Sequence, residues 1–189
     1  MQAEACTPNN IMEFSSSPHR PLHIYADDTW YFISASTLNH VRYFHPDERL
    51  TLWQDVFLKA VQELGVLLCA WVLLPDHYHI LVKFLQSRDV SRFMQLLHGR
   101  TSRLLNQLDD TQGRKIWYSY WDICIRNETD FWTRFNYIHY NPVKHGYVDD
   151  PEKWEFSSYR FHLQKEGAEW LSTCWLGYPA DTLLPDDKF

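Results

Sequence analysis

Several common sequence signals are missing from this chain of 189 residues. Its four cysteines form no Cys-x-x-Cys pair, which excludes a zinc knuckle and a redox dithiol of the usual spacing. The longest apolar stretch, residues 64–75, is too short to span a bilayer, and the first ten residues lack the cationic and apolar segments of a signal peptide. We therefore expect a soluble cytoplasmic protein with reduced thiols and no membrane partner.

Positive charge is also scarce. The chain has 18 Lys and Arg against 24 Asp and Glu, a formal net charge of −6, which excludes a uniform electrostatic attraction to nucleic acid. Only residues 88–148 are positive, with nine basic side chains against six acidic ones, whereas residues 1–87 and 149–189 are acidic. Any contact with a polyanion must therefore come from a local patch.

Apolar and aromatic residues, in contrast, are abundant. Hydrophobic residues make up 45% of the chain and aromatic residues 16%, which is enough for the core of one domain. The aromatic excess fits either dense packing or a surface that stacks on bases or sugars. Composition leaves both explanations open.

Alternation and helical periodicity predict four strands and three long helices. We expect strands at residues 29–35, on both sides of the Pro75-Asp76 break within 66–84, and at 116–125. Helices are expected at 47–64, at 88–107 with Ser87 as N-cap, and from the N-cap Thr129 to Asn141-Pro142, which should end or kink the helix. We expect residues 1–22 to form an irregular lead-in. We expect the acidic residues 149–189 to form an extended segment that wraps around the domain rather than a second core.

His77 and His79 form the sharpest local motif. Residues i and i+2 of a strand face the same side, about 6 to 7 Å apart at Cα, so the two imidazoles can share one metal ion. Because the chain has ten histidines, such a pair also arises as two polar side chains without a ligand. A third ligand must come from another segment.

Tyr137 and Asn141 are spaced one helical turn apart and would face the same side. A carboxamide oxygen suits a hard divalent ion, and a phenol is a latent nucleophile. Alternatively, Tyr137 is a core aromatic residue and Asn141 terminates a helix before Pro142. These residues alone leave the choice open.

Two blocks, WVLLPDHYHILV at 71–82 and YIHYNPVKHG at 137–146, together resemble the signature motifs of the HUH single-tyrosine transposases. Within that superfamily the chain is most similar to the REP-associated tyrosine transposases. Their first strand resembles TWYF at 29–32, and their C-terminal block resembles WEFSSY at 154–159. The resemblance spans residues 23–162, and the order and spacing of the two main blocks make it specific.

This resemblance implies an α+β fold, namely a ferredoxin-like antiparallel sheet with helices packed on it, plus an extended C-terminal tail. It implies a catalytic domain at residues 23–148 that follows the lead-in 1–22 and carries the acidic extension 149–189. Carried over by position, His77 and His79 bind the metal, Asn141 completes the metal site and Tyr137 is the nucleophile. Tyr78 is bulkier than the usual residue between the histidines, and His139 receives no role.

The activity implied by the resemblance is metal-dependent cleavage and transfer of single-stranded or hairpin DNA from repetitive extragenic palindromes (REP). Mg²⁺ or Mn²⁺ would neutralise phosphate charge, and Tyr137 would form a 5′-phosphotyrosine. We expect an exposed, preformed site in a nucleoid-associated monomer or homodimer. Two alternatives remain: a hairpin-binding module or repressor without turnover, and a metal-dependent phosphodiesterase that uses water.

The positive middle third of the chain supplies the candidates for phosphate contacts, which are Arg88, Arg92, Arg100, Arg103, Arg114 and Lys115. The strand predicted at 116–125 also carries four aromatic residues that either stack on unpaired bases or belong to the core: Trp117, Tyr118, Tyr120 and Trp121. The sequence does not separate these two roles.

Overall fold

The computed structural model describes residues 26–180, so the lead-in predicted at 1–22 lies outside the described residues. In this part of the chain, four strands form one antiparallel sheet in the order β2-β3-β1-β4. The strands are β1 (Thr29–Thr37), β2 (Leu67–Leu73), β3 (His77–Phe84) and β4 (Trp117–Cys124). β3 and β1 are central, and β2 and β4 are the edge strands.

Within the described residues, five α-helices pack on this sheet. They are α1 (Asp47–Leu64), α2 (Arg88–Leu108), α3 (Glu128–Lys144), α4 (Tyr159–Glu166) and α5 (Ala168–Gly177), with short 3₁₀ turns at Leu38–His40 and Pro151–Lys153. The order from β1 to β4 is the split β-α-β arrangement of ferredoxin-like folds. The predicted α+β class is confirmed.

The two faces of the sheet carry different helices. Alternate strand residues such as Tyr31, Tyr78 and Ile80 pack with the apolar stripes of α1 and α2 in one core cluster. Phe32 and Leu81 face the other way and pack with α3, α4 and α5 in a second cluster. Because His77 and His79 share the parity of Leu81, they lie on the α3 side.

Most predicted boundaries are confirmed within a few residues, but two details of the ends of α3 are wrong. Ser87 occupies the predicted N-cap position of α2, although its side chain makes no capping hydrogen bond. Asn127, not Thr129, caps α3, where its Oδ1 accepts from the backbone N–H of Asp130 at 2.7 Å. The helix also continues beyond Pro142 to Lys144.

Residues 149–180 differ from the predicted extended wrap, because they contain α4 and α5. Phe156 and Ser158 bond to the backbone of β2, with Leu73 N–H donating to Phe156 O at 2.9 Å and Ser158 N–H donating to Trp71 O at 3.0 Å. This segment covers the edge of β2. Among the described residues, no helix is both long and apolar enough to cross a membrane.

Candidate active site

The turn between β2 and β3 places both histidines of the motif at the start of a central strand. In the strand register His77 lies opposite Ser36 of β1, and His79 lies opposite Ser34. The two imidazole centroids are 5.3 Å apart on the α3 side. The expected exposure of the site is wrong, because His77 is only 5% exposed and His79 is fully buried beneath α3.

Helix α3 brings Tyr137 and Asn141 to these histidines. The Tyr137 ring lies 5.2 Å from the His79 ring, and the Asn141 Oδ1 lies 3.1 Å from the His77 Nε2. Both side chains are buried, and their spacing of one helical turn matches the spacing of the two histidines along β3. The structure therefore joins the two sequence motifs in one cluster.

Phe32 of β1 forms the floor beside this cluster. Its ring stacks on His79 at 5.5 Å and meets the edge of Tyr137 at 6.2 Å. The guanidinium of Arg134, one turn before Tyr137, lies 4.7 Å above the same ring. Since these rings constrain one another, His79 and Tyr137 have little freedom to change orientation.

Asp76 orients the first histidine, a role the sequence reasoning missed. Its Oδ1 is 2.7 Å from the His77 Nδ1. Partial burial raises the pKa of Asp76, but the hydrogen bond and charge of His77, with His40 and Arg42, outweigh it and lower the pKa below its usual value. An ionised carboxylate only accepts, so the Nδ1 must carry a proton.

These contacts fit a divalent cation. With a proton on Nδ1, the short distance between the His77 Nε2 and the Asn141 Oδ1 has three explanations. The Nε2 carries a second proton and donates it to the Oδ1, the amide is rotated so that its NH2 group donates to the Nε2, or both atoms bind one cation. Cis ligands of an octahedral ion with bonds of about 2.1 Å lie about 3 Å apart, which matches the observed 3.1 Å. The Asn141 Nδ2 is buried without a hydrogen-bond partner, as an amide held for its oxygen would be.

Nitrogen and amide-oxygen donors define this candidate site. Within residues 26–180, no group of three His, Cys, Asp or Glu side chains is arranged to hold a metal ion. As candidate ligands, His77, His79 and Asn141 would offer two imidazoles and one amide oxygen, and further ligands would be water or substrate oxygens. This set leaves coordination positions open, as catalytic sites require.

Two exposed side chains at the end of α3 mark the solvent side of the cluster. The Lys144 ammonium donates a hydrogen bond of 3.3 Å to the Tyr137 hydroxyl and lies 4.9 Å from the centre of its ring. The His145 ring lies 4.8 Å from the His77 ring. The buried nucleophile candidate is thus reached from the side on which a cation and an imidazole face solvent.

The six basic residues predicted to contact phosphates lie elsewhere. Four of them, Arg88, Arg92, Arg100 and Arg103, belong to α2, which packs on the opposite face of the sheet from His77 and His79. Arg100 pairs with Glu63 at 2.8 Å, and Arg114 pairs with Asp109 at 2.6 Å. The structure does not bring these residues to the histidines, and their contact with DNA stays a prediction.

Comparison with known proteins points to one family. A sequence profile of the family described as "Transposase IS200 like" matches residues 33–141, which are 109 of the 189 residues. A REP-associated tyrosine transposase of Escherichia coli (strain K12) is 34% identical over 92 residues, which cover 48% of this chain and 52% of that protein. A Haemophilus influenzae protein provisionally given the same description is 29% identical over 104 residues, 50% of this chain and 59% of that protein. The chain thus aligns with only a little over half the length of these curated relatives.

The fold also matches a solved structure. A REP-associated tyrosine transposase bound to a REP hairpin superposes with a TM-score of 0.64 over 92% of this chain and 95% of that chain, at 21% identity. The profile match covers more than half of the sequence and includes His77 and His79 of β3 as well as Tyr137 and Asn141 of α3. This chain therefore belongs to the IS200-like transposase family.

Proposed function

We propose that this chain is a metal-dependent endonuclease and strand transferase for single-stranded or hairpin DNA, with Tyr137 as its nucleophile. One observation carries the proposal. Tyr137 packs against His79 and lies one helical turn before Asn141, whose Oδ1 is 3.1 Å from the His77 Nε2. A phosphate bound beside these donors would be within reach of the phenol oxygen.

We further propose hairpins of the REP type as substrates. Two curated relatives are described as REP-associated, and the solved structure with a similar fold holds a REP hairpin. The catalytic domain would comprise residues 23–148, with residues 149–189 as an extension packed on it. Acting on chromosomal DNA would place the protein in the cytoplasm, at the nucleoid, as a monomer or homodimer.

The proposed cleavage step is a transesterification, so one phosphodiester bond forms for each one that breaks. The phenol oxygen of Tyr137 gives up its proton and attacks phosphorus, and the bond from phosphorus to the 3′-oxygen breaks. The 3′-oxygen takes up a proton, which leaves a free 3′-hydroxyl and a 5′-phosphotyrosine. Attack by a 3′-hydroxyl on this link rejoins DNA and restores the phenol, so no nucleotide cofactor is consumed.

Several side chains would support this step. His77, His79 and Asn141 would hold Mg²⁺ or Mn²⁺, which supplies charge neutralisation at the non-bridging phosphate oxygens when bound. Imidazole ligands favour Mn²⁺ over Mg²⁺ in affinity. Lys144 stabilises negative charge on the phenol oxygen through its hydrogen bond. Asp76 holds the His77 ring with its Nε2 directed at Asn141.

The test is covalent trapping on DNA. The protein is incubated with Mn²⁺ and a pool of labelled hairpins with single-stranded flanks, and denaturing gels show any protein–DNA adduct. We expect an adduct that maps to Tyr137 by mass spectrometry and that disappears in Tyr137→Phe, which loses only the hydroxyl. Tyr140→Phe is the matched control, because Tyr140 packs on Trp175 instead of on the histidines.

The other outcomes identify the alternatives. Cleavage without an adduct would indicate hydrolysis by water, with Tyr137 in a structural role. Tight hairpin binding without cleavage would indicate a binding module or repressor. Full activity in the presence of a strong chelator would reject the metal dependence while leaving the nucleophile assignment intact.

A further inference from the structure

The aromatic residues of β4 fall into two groups that the sequence does not separate. Trp117 is buried in the core formed with α1 and α2, and Tyr120 packs against the same core. Tyr118 is 55% exposed and Trp121 is 40% exposed. β4 is an edge strand of the sheet. Two large aromatic rings therefore remain accessible along that edge.

The strand register places Trp121 on the same face as the candidate active site. Trp121 lies opposite Ser34 of β1, and Ser34 lies opposite His79 of β3. Directly opposed residues of antiparallel strands share a face, and each strand spacing is about 4.8 Å, so the Trp121 and His79 Cα atoms are about 10 Å apart. The same row of the sheet thus joins the exposed indole to a proposed metal ligand.

This row contains no large side chain between the two rings. Ser34 separates Trp121 from His79, and in the neighbouring row Ser36 separates Ser119 from His77. α3 covers the same face of the sheet, but it packs over β2 and β3. Ser34 and Ser36 are buried, whereas Ser119 and Trp121 are exposed. These four residues therefore run from the buried cluster to an accessible sheet edge, and we call them the β4 shelf (Ser34, Ser36, Ser119 and Trp121).

We propose that Trp121 stacks on an unpaired nucleobase of the DNA strand, close to the phosphodiester that Tyr137 attacks. The inference rests on the proposed function and names the contact that holds the strand beside that site. An unpaired base offers a planar apolar face that an exposed indole can cover, whereas a base inside a duplex does not. The separation of about 10 Å suits a base whose own backbone phosphate lies near the histidines.

Positive charge at the same edge supports a nucleic-acid occupant. Lys115 precedes β4, is exposed, and holds its ammonium 5.7 Å from the centre of the Tyr118 ring. A cation at this edge can contact the backbone of a single strand whose base stacks on Trp121. Trp121 acts as a positioning residue, because it holds the strand and does not touch the reacting phosphate.

The experiment compares binding to bases with binding to the bare backbone. All proteins carry Tyr137→Phe to prevent cleavage, and the probes are a thymidine oligonucleotide of about 12 nucleotides and an abasic strand of equal length. We expect Trp121→Ala to weaken binding to the thymidine strand about fivefold to a hundredfold and to leave binding to the abasic strand unchanged. Trp121→Phe should retain most of the preference, because a ring remains.

Tyr118→Ala is the matched control, since it removes a ring of the same strand that is even more exposed than Trp121 and that has no partner position on β1 in the register. An unchanged preference in Trp121→Ala, or equal losses in both alanine variants, would overturn the assignment of the stacking contact to the β4 shelf. Equal weakening on both probes would also overturn it, because that pattern indicates a general loss of structure.

This result is independent of catalysis. If the parent chain without Tyr137→Phe fails to cut any hairpin but the Trp121-dependent preference is observed, the proposed function fails and the stacking contact stands. If the parent chain cuts hairpins and the preference does not depend on Trp121, the reverse holds. Absence of any preference for bases over backbone in the Tyr137→Phe protein would reject the stacking proposal outright.

Discussion

Lys144 lies two turns beyond Tyr137 on α3, and its ammonium group donates a hydrogen bond of 3.3 Å to the phenol oxygen. The same ammonium lies 4.9 Å from the centre of the tyrosine ring. Lys144 is exposed, whereas Tyr137 is only 4% exposed. The arrangement places one cation at the oxygen on which negative charge would develop in the proposed attack.

Lys144→Met should slow formation of the DNA adduct by about tenfold to a hundredfold, because a hydrogen bond to a charged group contributes about 1.5 to 3 kcal/mol. The measurement is single-turnover adduct formation at saturating DNA. Lys144→Arg should retain part of the rate, and Lys153→Met should have no effect, since the exposed Lys153 ammonium pairs with Asp149. Weaker DNA binding at an unchanged rate would assign Lys144 to binding instead.

Asn141→Ala should weaken Mn²⁺ affinity by about tenfold to a hundredfold, the range expected when a supporting group of a metal site is lost. Because Asn141 is fully buried, the variant also loses stability without metal. The informative quantity is therefore the increase in Tm caused by Mn²⁺, which reports binding to the folded state. An equal increase in wild type and variant would remove Asn141 from the ligand set.

DNA affinity should fall steeply with salt despite the net charge of −6. With roughly four to six phosphates neutralised, log K against log[salt] should have a slope near −3 to −4 on single strands. Arg88→Glu with Arg92→Glu tests the predicted patch better than Arg100, whose reversal would also oppose Glu63. Unchanged affinity in that double variant would remove Arg88 and Arg92 from the predicted phosphate contacts.

Local sequence signals predicted the elements and the faces of the active-site residues. α1 begins and ends where the apolar stripe does, and Gly65 follows it with a φ of 61°, a left-handed conformation that glycine adopts without strain. Spacing alone placed His77 with His79 and Tyr137 with Asn141. The contact between the two pairs joins residues that are 64 positions apart in the sequence. It was predicted from the family resemblance and not from periodicity.

Other features depend on tertiary contacts that carry no local signal. The side of the sheet on which α2 packs decides where its arginines point, and helical periodicity does not encode that side. α4 has only one buried residue, His162, so it lacks the apolar stripe that predicts a helix. A hydrogen bond of 2.8 Å between the His162 Nε2 and Cys69 O ties this helix to β2 instead.

The connection between the C-terminal segment and α3 should contribute strongly to stability. The Ser158 Oγ accepts from the backbone N–H of Trp71 at 3.0 Å and lies 2.7 Å from the His139 Nε2. Ser158→Ala leaves both groups buried without this partner, and each costs about 1 to 3 kcal/mol, so we expect a loss of about 2 to 4 kcal/mol in urea unfolding. Ser157→Ala is the control, because its hydroxyl makes only two longer backbone contacts of 3.3 Å. Equal losses would contradict the special role of Ser158.

Acid should destabilise the fold through His98. Burial lowers the pKa of His98 to about 3, and its Nε2 lies 2.9 Å from the Tyr78 hydroxyl while its ring stacks on Trp117 at 4.5 Å. The unfolded chain takes up a proton at this histidine below about pH 6.5, whereas the folded chain does not, so stability falls as the pH decreases from 6.5 toward 3. At pH 4.5 the loss from this residue amounts to about 2 to 3 kcal/mol, at 1.36 kcal/mol for each pH unit.

His98→Gln keeps a polar group near Tyr78 but cannot titrate. The variant should therefore lose less free energy of unfolding than wild type between pH 7.5 and pH 4.5, measured by urea unfolding at both values. The comparison at pH 7.5 supplies the control, because His98 is neutral in both states there and any difference reflects packing alone. Parallel pH profiles for the two proteins would show that His98 takes up its proton equally in the folded and unfolded states, and would contradict the lowered pKa of His98.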